Sequence, residues 1–108
     1  MRNTLVAILC LSSLAGAEPS VIGDWRGSGG SIFHIPASSG QFKLRLTDSQ
    51  GKVQNFQAQW EKPGQAFVWQ DAQNTRHTAE LDTHYKTTRF RDVGANFPDS
   101  PAYWYPVK

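Results

Sequence analysis

From residue 21 onward, short runs of alternating apolar and polar residues are separated by turn-forming residues, a pattern typical of antiparallel β-strands. The clearest run is QFKLRLTD, residues 41–48, in which Phe42, Leu44 and Leu46 occupy every second position. Lysine, arginine and threonine stand between and after them. Because successive side chains of a strand point to opposite faces, this run predicts a strand with one buried and one solvated face.

Turn signals join this strand to its neighbours in sequence. The turn TDSQGK leads into KVQNFQAQW, and KPGQ, with proline and glycine where a type II turn favours them, leads into AFVWQD. Four more short runs bring the expected number to about seven strands: VIGDWRG, SIFHIPA, RHTAELD and KTTRFRD. We therefore expect an all-β fold, an antiparallel meander of short strands that forms a small barrel or a strongly twisted sheet.

Two segments fit this pattern less well. Residues 71–85 could begin as a helix capped by Asp71 or form a strand, and the Thr, Asn and His within the segment favour the strand. Residues 93–108 contain three prolines, so they are not expected to form a regular central strand. Their aromatic residues favour an extended tail packed on the domain over a disordered one.

The beginning of the chain has the layout of a secretory signal peptide, with a positive charge at Arg2, an apolar run, and small residues before the cleavage site. The apolar run is shorter than the roughly 20 residues that a membrane-spanning helix needs, so no membrane span is expected. The expected organisation is a signal peptide at residues 1–17, a β domain at residues 18–92 and the tail at residues 93–108. The protein is then secreted or periplasmic.

Charge and cysteine content restrict the partners and the source of stability. Without Arg2, ten Lys and Arg balance nine Asp and Glu, and the two signs are interspersed, which argues against nucleic acid as a partner. The only cysteine, Cys10, lies in the leader, so the mature domain would have no disulfide and must be stabilised by its core. All thirteen aromatic residues follow the leader, and some of them must therefore be structural.

Catalytic and cofactor motifs find little support in the sequence. The stretch GDWRGSGG, residues 23–30, lacks the Gly-Lys-Ser/Thr ending of a phosphate loop, so we interpret its glycines as a turn. His34, His77 and His84 are not spaced as a local chelate, so neither a metal nor a cofactor is expected. His77 could lie inside, as a hydrogen-bonded residue rather than a ligand. Carboxylates from distant strands leave no local pattern, so a hydrolase stays open as a third hypothesis.

The aromatic residues are the richer functional signal, since flat rings with polar tips bind sugars, apolar ligands and protein surfaces. Two tryptophans flank the KPG turn, and three aromatic residues lie together near the end of the chain. The candidate ligand-binding residues are Trp60, Trp69, Tyr103, Trp104 and Tyr105.

The motif Gly23-Asp24-Trp25 resembles the Gly-x-Trp that opens the first strand of lipocalins and of avidin-like barrels, together the calycin type. In lipocalins, an arginine from the last strand packs across this tryptophan and closes the barrel. The resemblance implies that structural role for Trp25 with Arg89 or Arg91, which lie on the last predicted strand. It also implies a cavity for a small ligand, although a barrel this small can be filled by its own side chains.

The expected function is non-catalytic binding of a small molecule or glycan in an aromatic-lined concavity or barrel mouth. The alternative is a protein-interaction module, such as an envelope component or an inhibitor of a secreted hydrolase, that uses the tail. A cavity lined by Trp60 or Trp69 would favour the first hypothesis. A filled interior with tail aromatics exposed as a patch would favour the second.

Overall fold

The protein is an eight-stranded antiparallel meander that closes into a barrel. The computed structural model describes residues 20–107, so the predicted signal peptide of residues 1–17 lies outside the described residues. Each strand pairs with the next, and the last pairs with the first, which confirms the expected all-β fold class. The strands are β1 Gly23–Arg26, β2 Ile32–Ile35, β3 Gln41–Thr47, β4 Val53–Lys62, β5 Ala66–Gln70, β6 Arg76–His84, β7 Thr87–Gly94 and β8 Ala102–Pro106.

The alternating runs form strands in the predicted way. In β3, Phe42 and Leu44 are buried while the residues beside them are exposed or half-buried. The segment that could have been a helix is also a strand, β6, and Asp71 precedes it in a turn rather than at a helix N-terminus. Asp71 Oδ1 accepts the backbone N–H groups of Gln73 and Thr75, which holds this turn.

The C-terminal segment differs from the expectation, because it adds an eighth strand to the expected seven. The segment contributes β8, which pairs with both β7 and β1 and closes the barrel, whereas an extended tail without a regular central strand was expected. Two of the prolines, Pro98 and Pro101, fall in the connection before the strand, and Pro106 is its last residue. Because proline is tolerated at strand ends, the prolines bound the strand rather than prevent it.

Aromatic rings fill the interior of the barrel. Phe33 stacks on Trp104 with ring centroids 3.9 Å apart, and Phe67 contacts Trp60 edge to face at 4.9 Å. The edge-to-face and stacked arrangements are those that aromatic pairs prefer, so the rings contribute packing energy beyond their buried area. The buried core consists of Val21, Trp25, Phe33, Ile35, Phe42, Leu44, Ala58, Trp60, Ala66, Phe67, Trp69, Ala79, Phe90 and Trp104.

The meander gives the barrel two ends. We call the end with the β1–β2, β3–β4, β5–β6 and β7–β8 connections the upper end, and the end with the other connections the lower end. At the upper end, the β7–β8 connection is tied to the β5–β6 turn, since Asn96 Nδ2 donates to Thr75 Oγ1 at 3.2 Å. Among residues 20–107, no helix has the length and apolar character needed to cross a membrane.

Candidate functional site

The three tryptophans predicted to bind a ligand lie in the core. Trp104 is 1% exposed, and Trp60 and Trp69 are also buried. Their packing is completed by hydrogen bonds: Trp60 Nε1 donates to the carbonyl of Ala37 at 2.7 Å, and Trp69 Nε1 donates to Asp92 Oδ1 at 2.9 Å. These indoles are therefore structural parts of the filled barrel rather than an open aromatic lining.

The two tyrosines predicted with them lie on the opposite surface of β8, because strand alternation turns them away from Trp104. Tyr105 is 40% exposed and Tyr103 is half-buried. Arg89 of β7 lies between them, with its guanidinium carbon 3.8 Å from the Tyr103 ring centroid and Nη1 donating to Tyr105 Oη at 3.1 Å. Arg89 Nε donates to Asp82 Oδ2 at 3.0 Å. We call these four residues the β7–β8 outer face.

The pairing of Trp25 with an arginine, which the family resemblance implied, is replaced by a different contact. Trp25 packs edge to face on Phe90, with ring centroids 4.6 Å apart, and its Nε1 donates to the carbonyl of Val21 at 2.9 Å. Phe90 points into the barrel, so strand alternation directs its neighbours Arg89 and Arg91 to the outside.

A buried polar network lies at the upper end of the barrel, where β5, β6 and β7 meet. His77 bridges two carboxylates, with Nε2 2.9 Å from Asp71 Oδ2 and Nδ1 3.1 Å from Asp92 Oδ2. Its ring stacks on Trp69, with centroids 4.1 Å apart and planes 18° apart. Asp92, 6% exposed, also accepts the Trp69 indole N–H. One carboxylate therefore contacts the buried indole of Trp69 and the partly buried imidazole of His77, on neighbouring strands.

The two carboxylates of this network have opposite electrostatic environments. Burial raises the pKa of Asp92 above its ordinary value, and the hydrogen bonds from Trp69 and His77 and the charge of His77 only partly offset this effect. Burial also acts to raise the pKa of Asp71, but the hydrogen bonds from His77, Thr75 and Gln73 together outweigh it and lower that pKa. Relative to a free carboxyl group, the fold therefore stabilises the charged form of Asp71 and destabilises the charged form of Asp92.

This network was missed as a site by sequence reasoning, although His77 was recognised as a residue that could point inward. Asp71 precedes β6 and Asp92 lies on β7, so their convergence depends on the register between β6 and β7 rather than on a local motif. Within residues 20–107, no group of three or more His, Cys, Asp or Glu side chains is arranged to hold a metal ion.

Among the surface depressions outside the filled interior are two whose linings include residues of the candidate sites. One, of about 280 Å³, lies on the outer surface of β3–β5 near the start of β6. The other, of about 350 Å³, lies at the lower end, where Trp25 and Leu81 contribute to its lining beside Gly64 and Thr88. The first is notable for its amide side chains, and its lining includes Gln41, Gln57, Gln59, Gln70, Val68 and Arg76.

Comparisons with known proteins leave the family of this chain open. No protein-family model matches the chain, and neither a curated protein nor a solved structure matches it.

Proposed function

We propose that this protein is an exported, non-catalytic protein-interaction module built on a calycin-like barrel, which binds its partner through the β7–β8 outer face. The observation that carries the proposal is the division of the C-terminal aromatics: Trp104 fills the core, while Tyr103 and Tyr105 point outward around Arg89. Tyrosine and arginine are enriched among the residues that dominate binding energy at protein interfaces.

The filled interior supports an external binding mode. Ring centroids of Phe67 lie 5.5 Å from Phe90 and 6.0 Å from Trp104, so the centre of the barrel is occupied by side chains of the protein itself. A small ligand would have to displace these rings, and each buried aromatic side chain that loses its packing costs about 3–5 kcal/mol. Recognition on the outer surface requires no such rearrangement.

The buried network supports a role without catalysis. A histidine that acts as a general base must offer a free ring nitrogen within hydrogen-bond reach of a substrate. Both ring nitrogens of His77 already face carboxylates, Asp71 on one side and Asp92 on the other. This geometry suits a structural bridge between the β5–β6 turn and β7.

A capture and titration experiment tests the proposed face. The full-length protein is immobilised and exposed to the proteins that the source cell exports, and a retained partner is purified and titrated by calorimetry. Tyr105→Ser should weaken its binding at least about tenfold, as expected for an interface residue that dominates the binding energy. Lys43→Ser, at an exposed position of β3 on the opposite side of the barrel, is the control and should bind like the wild type. Retention of no partner, or a partner insensitive to Tyr105→Ser, would refute the proposal.

A glycan is the second candidate ligand, and the glutamine-lined depression favours it. Primary amides both donate and accept hydrogen bonds, which matches the hydroxyl groups of a sugar. The guanidinium of Arg76 is held beside them by Glu61, whose Oε2 accepts from Nη2 at 3.3 Å. NMR titration with soluble oligosaccharides tests this candidate: shifts at the amides of Gln57 and Gln59 that disappear in Gln57→Ala would support it. Saturating oligosaccharides without such shifts would exclude it.

A further inference from the structure

The hairpin between β6 and β7 ends in a turn whose residues are unusual for its backbone. Tyr85 and Lys86 join the paired residues His84 and Thr87, and both have positive φ, 49° and 69°. A two-residue hairpin loop with two positive φ angles is a type I′ turn, in which Asn-Gly is strongly preferred. Elsewhere within residues 20–107, every positive φ belongs to a glycine or to Asn74.

The backbone of this turn is therefore strained at Tyr85 and Lys86. A residue with a Cβ in the left-handed region brings that atom too close to the following carbonyl oxygen. Tyr85 is 88% exposed, so burial of its ring does not offset this strain. Its only close aromatic neighbour among the described residues is His84, whose ring centroid is 4.3 Å away. Strained positions of this kind cluster at ligand clamps and binding sites, where the strain preorganises a group.

The backbone of the turn is positioned by strand pairing. Register pairs run without interruption along the hairpin from His77 and Gly94 to His84 and Thr87, directly up to the turn. A turn backbone that is already in its bound conformation loses little conformational freedom on binding. Tyrosine adds a large contact area with only two side-chain torsions to fix.

We propose that Tyr85 and Lys86, the hairpin tip, insert into a concave, carboxylate-lined cleft of the partner protein, of the kind that forms the active site of a secreted glycoside hydrolase. The tip combines a phenol with an ammonium group and has the imidazole of His84 beside it. Glycoside hydrolases place a pair of carboxyl groups on either side of an open cleft. The ammonium of Lys86 complements those carboxylates, and the phenol ring fills the space that a sugar ring would occupy.

The tip continues the β7–β8 outer face, and this inference rests on the function proposed above. Asp82 and Arg89 form a register pair on the same outer surface, two residues before the end of β6 and two after the start of β7. Their charges are paired with each other at 3.0 Å, which leaves Lys86 as a cation at the tip. A partner cleft that receives the tip would therefore bring its rim against Tyr105.

Inhibition assays test the tip directly. The full-length protein is added to a lysozyme, a cellulase and an α-amylase, and initial rates are measured at low and high salt. The protein should inhibit at least one of these enzymes, and less strongly at high salt, because the contact between Lys86 and the carboxylates is screened. The double variant Tyr85→Asn with Lys86→Gly should raise the inhibition constant at least about tenfold. Phe97→Ser, which removes a 67% exposed ring at the upper end, is the matched control and should inhibit like the wild type.

Thermal unfolding of the same variants separates loss of binding from loss of structure. The double variant Tyr85→Asn with Lys86→Gly fits the type I′ turn without strain, so its Tm should rise by roughly 5–10 °C while inhibition is weakened. Inhibition of none of the three enzymes, equal inhibition by the double variant, or a lowered Tm of the double variant would each overturn the inference. The proposed function is tested separately by Tyr105→Ser. A partner whose binding is weakened by Tyr105→Ser but not by the double variant would refute only the role of the tip.

Discussion

Removal of the Asp92 carboxylate is expected to destabilise the barrel strongly, because two side chains depend on it. In Asp92→Ala, Trp69 Nε1 loses its acceptor at 2.9 Å, and His77 Nδ1 loses its hydrogen-bond partner at 3.1 Å. A buried donor left without a partner costs about 1–3 kcal/mol. The indole is buried, and the imidazole side chain is 17% exposed, so water reaches only part of the site. We expect a loss of about 2–4 kcal/mol in the free energy of unfolding, from one buried and one partly buried group left without a partner.

The matched variant Asp92→Asn keeps the shape of the side chain and one oxygen acceptor for the indole of Trp69. Its amide nitrogen can donate to Nδ1 of a neutral His77, whose Nε2–H then donates to Asp71. Asp92→Asn should therefore cost less than about 1.5 kcal/mol, the net value of a single hydrogen bond. Urea unfolding at neutral pH, followed by tryptophan fluorescence, measures both variants against the wild type.

The pH dependence gives this prediction a second readout. Because burial raises the pKa of Asp92 above its ordinary value of 3.8, the native state binds this proton more tightly than the unfolded state does. The stability that Asp92 contributes in this way is complete below its unfolded pKa and is lost as the pH rises through its folded pKa. Asparagine does not titrate, so the stability advantage of the wild type over Asp92→Asn should shrink as the pH rises from about 4. An Asp92→Ala variant that loses less than about 1 kcal/mol would refute the network.

Three further perturbations have defined expected results. Trp25→Ala should cost about 3–5 kcal/mol in urea unfolding, since its ring packs on Phe90 in the core, and a loss below about 1 kcal/mol would contradict that packing. The lowered pKa of Asp71 stabilises the native state above its ordinary value of 3.8, and this contribution is lost as the pH falls through the folded pKa. Acid unfolding of Asp71→Asn should therefore depend less steeply on pH in that range, and an unchanged slope would contradict the assignment. Tyr105→Phe should leave Tm within about 2 °C of the wild type, as for a surface substitution, and a larger fall would show that the ring supports the fold.

The strands were largely predictable from sequence because their signal is local. The alternation of Phe42, Leu44 and Leu46 requires no knowledge of the partner strand, and the burial of the first two follows from it. The formation of a paired strand, β8, by the C-terminal segment was not predictable in the same way. Its pairing with β1 joins Arg26 to Tyr105, at opposite ends of the described chain, and no local pattern reports such a contact. The prolines do interrupt regular structure, as expected, but only before and at the end of β8. The expectation extended their effect to all of residues 93–108.

The candidate site was only partly predictable for a related reason. The outward direction of Tyr103 and Tyr105 follows from strand alternation once Trp104 is known to be buried, but its burial depends on closure of the barrel. The hairpin tip did leave a sequence signal, which was missed. A tight turn without glycine or asparagine between two alternating segments indicates that Tyr85 and Lys86 carry unusual backbone angles.

The filled interior and the strained tip are connected by the register of one hairpin. A slip of one residue in β7 would let the turn relax, but it would also turn Phe90 and Asp92 from the inside of the barrel to the outside. The strain of two residues in the left-handed region is about 2–4 kcal/mol. Exposure of Phe90 alone costs about 3–5 kcal/mol, and the loss of the Asp92 contacts with Trp69 and His77 adds to it. The core therefore holds the backbone of Tyr85 in a conformation that the turn by itself would not keep, and a barrel with a filled interior can in this way present an external anchor.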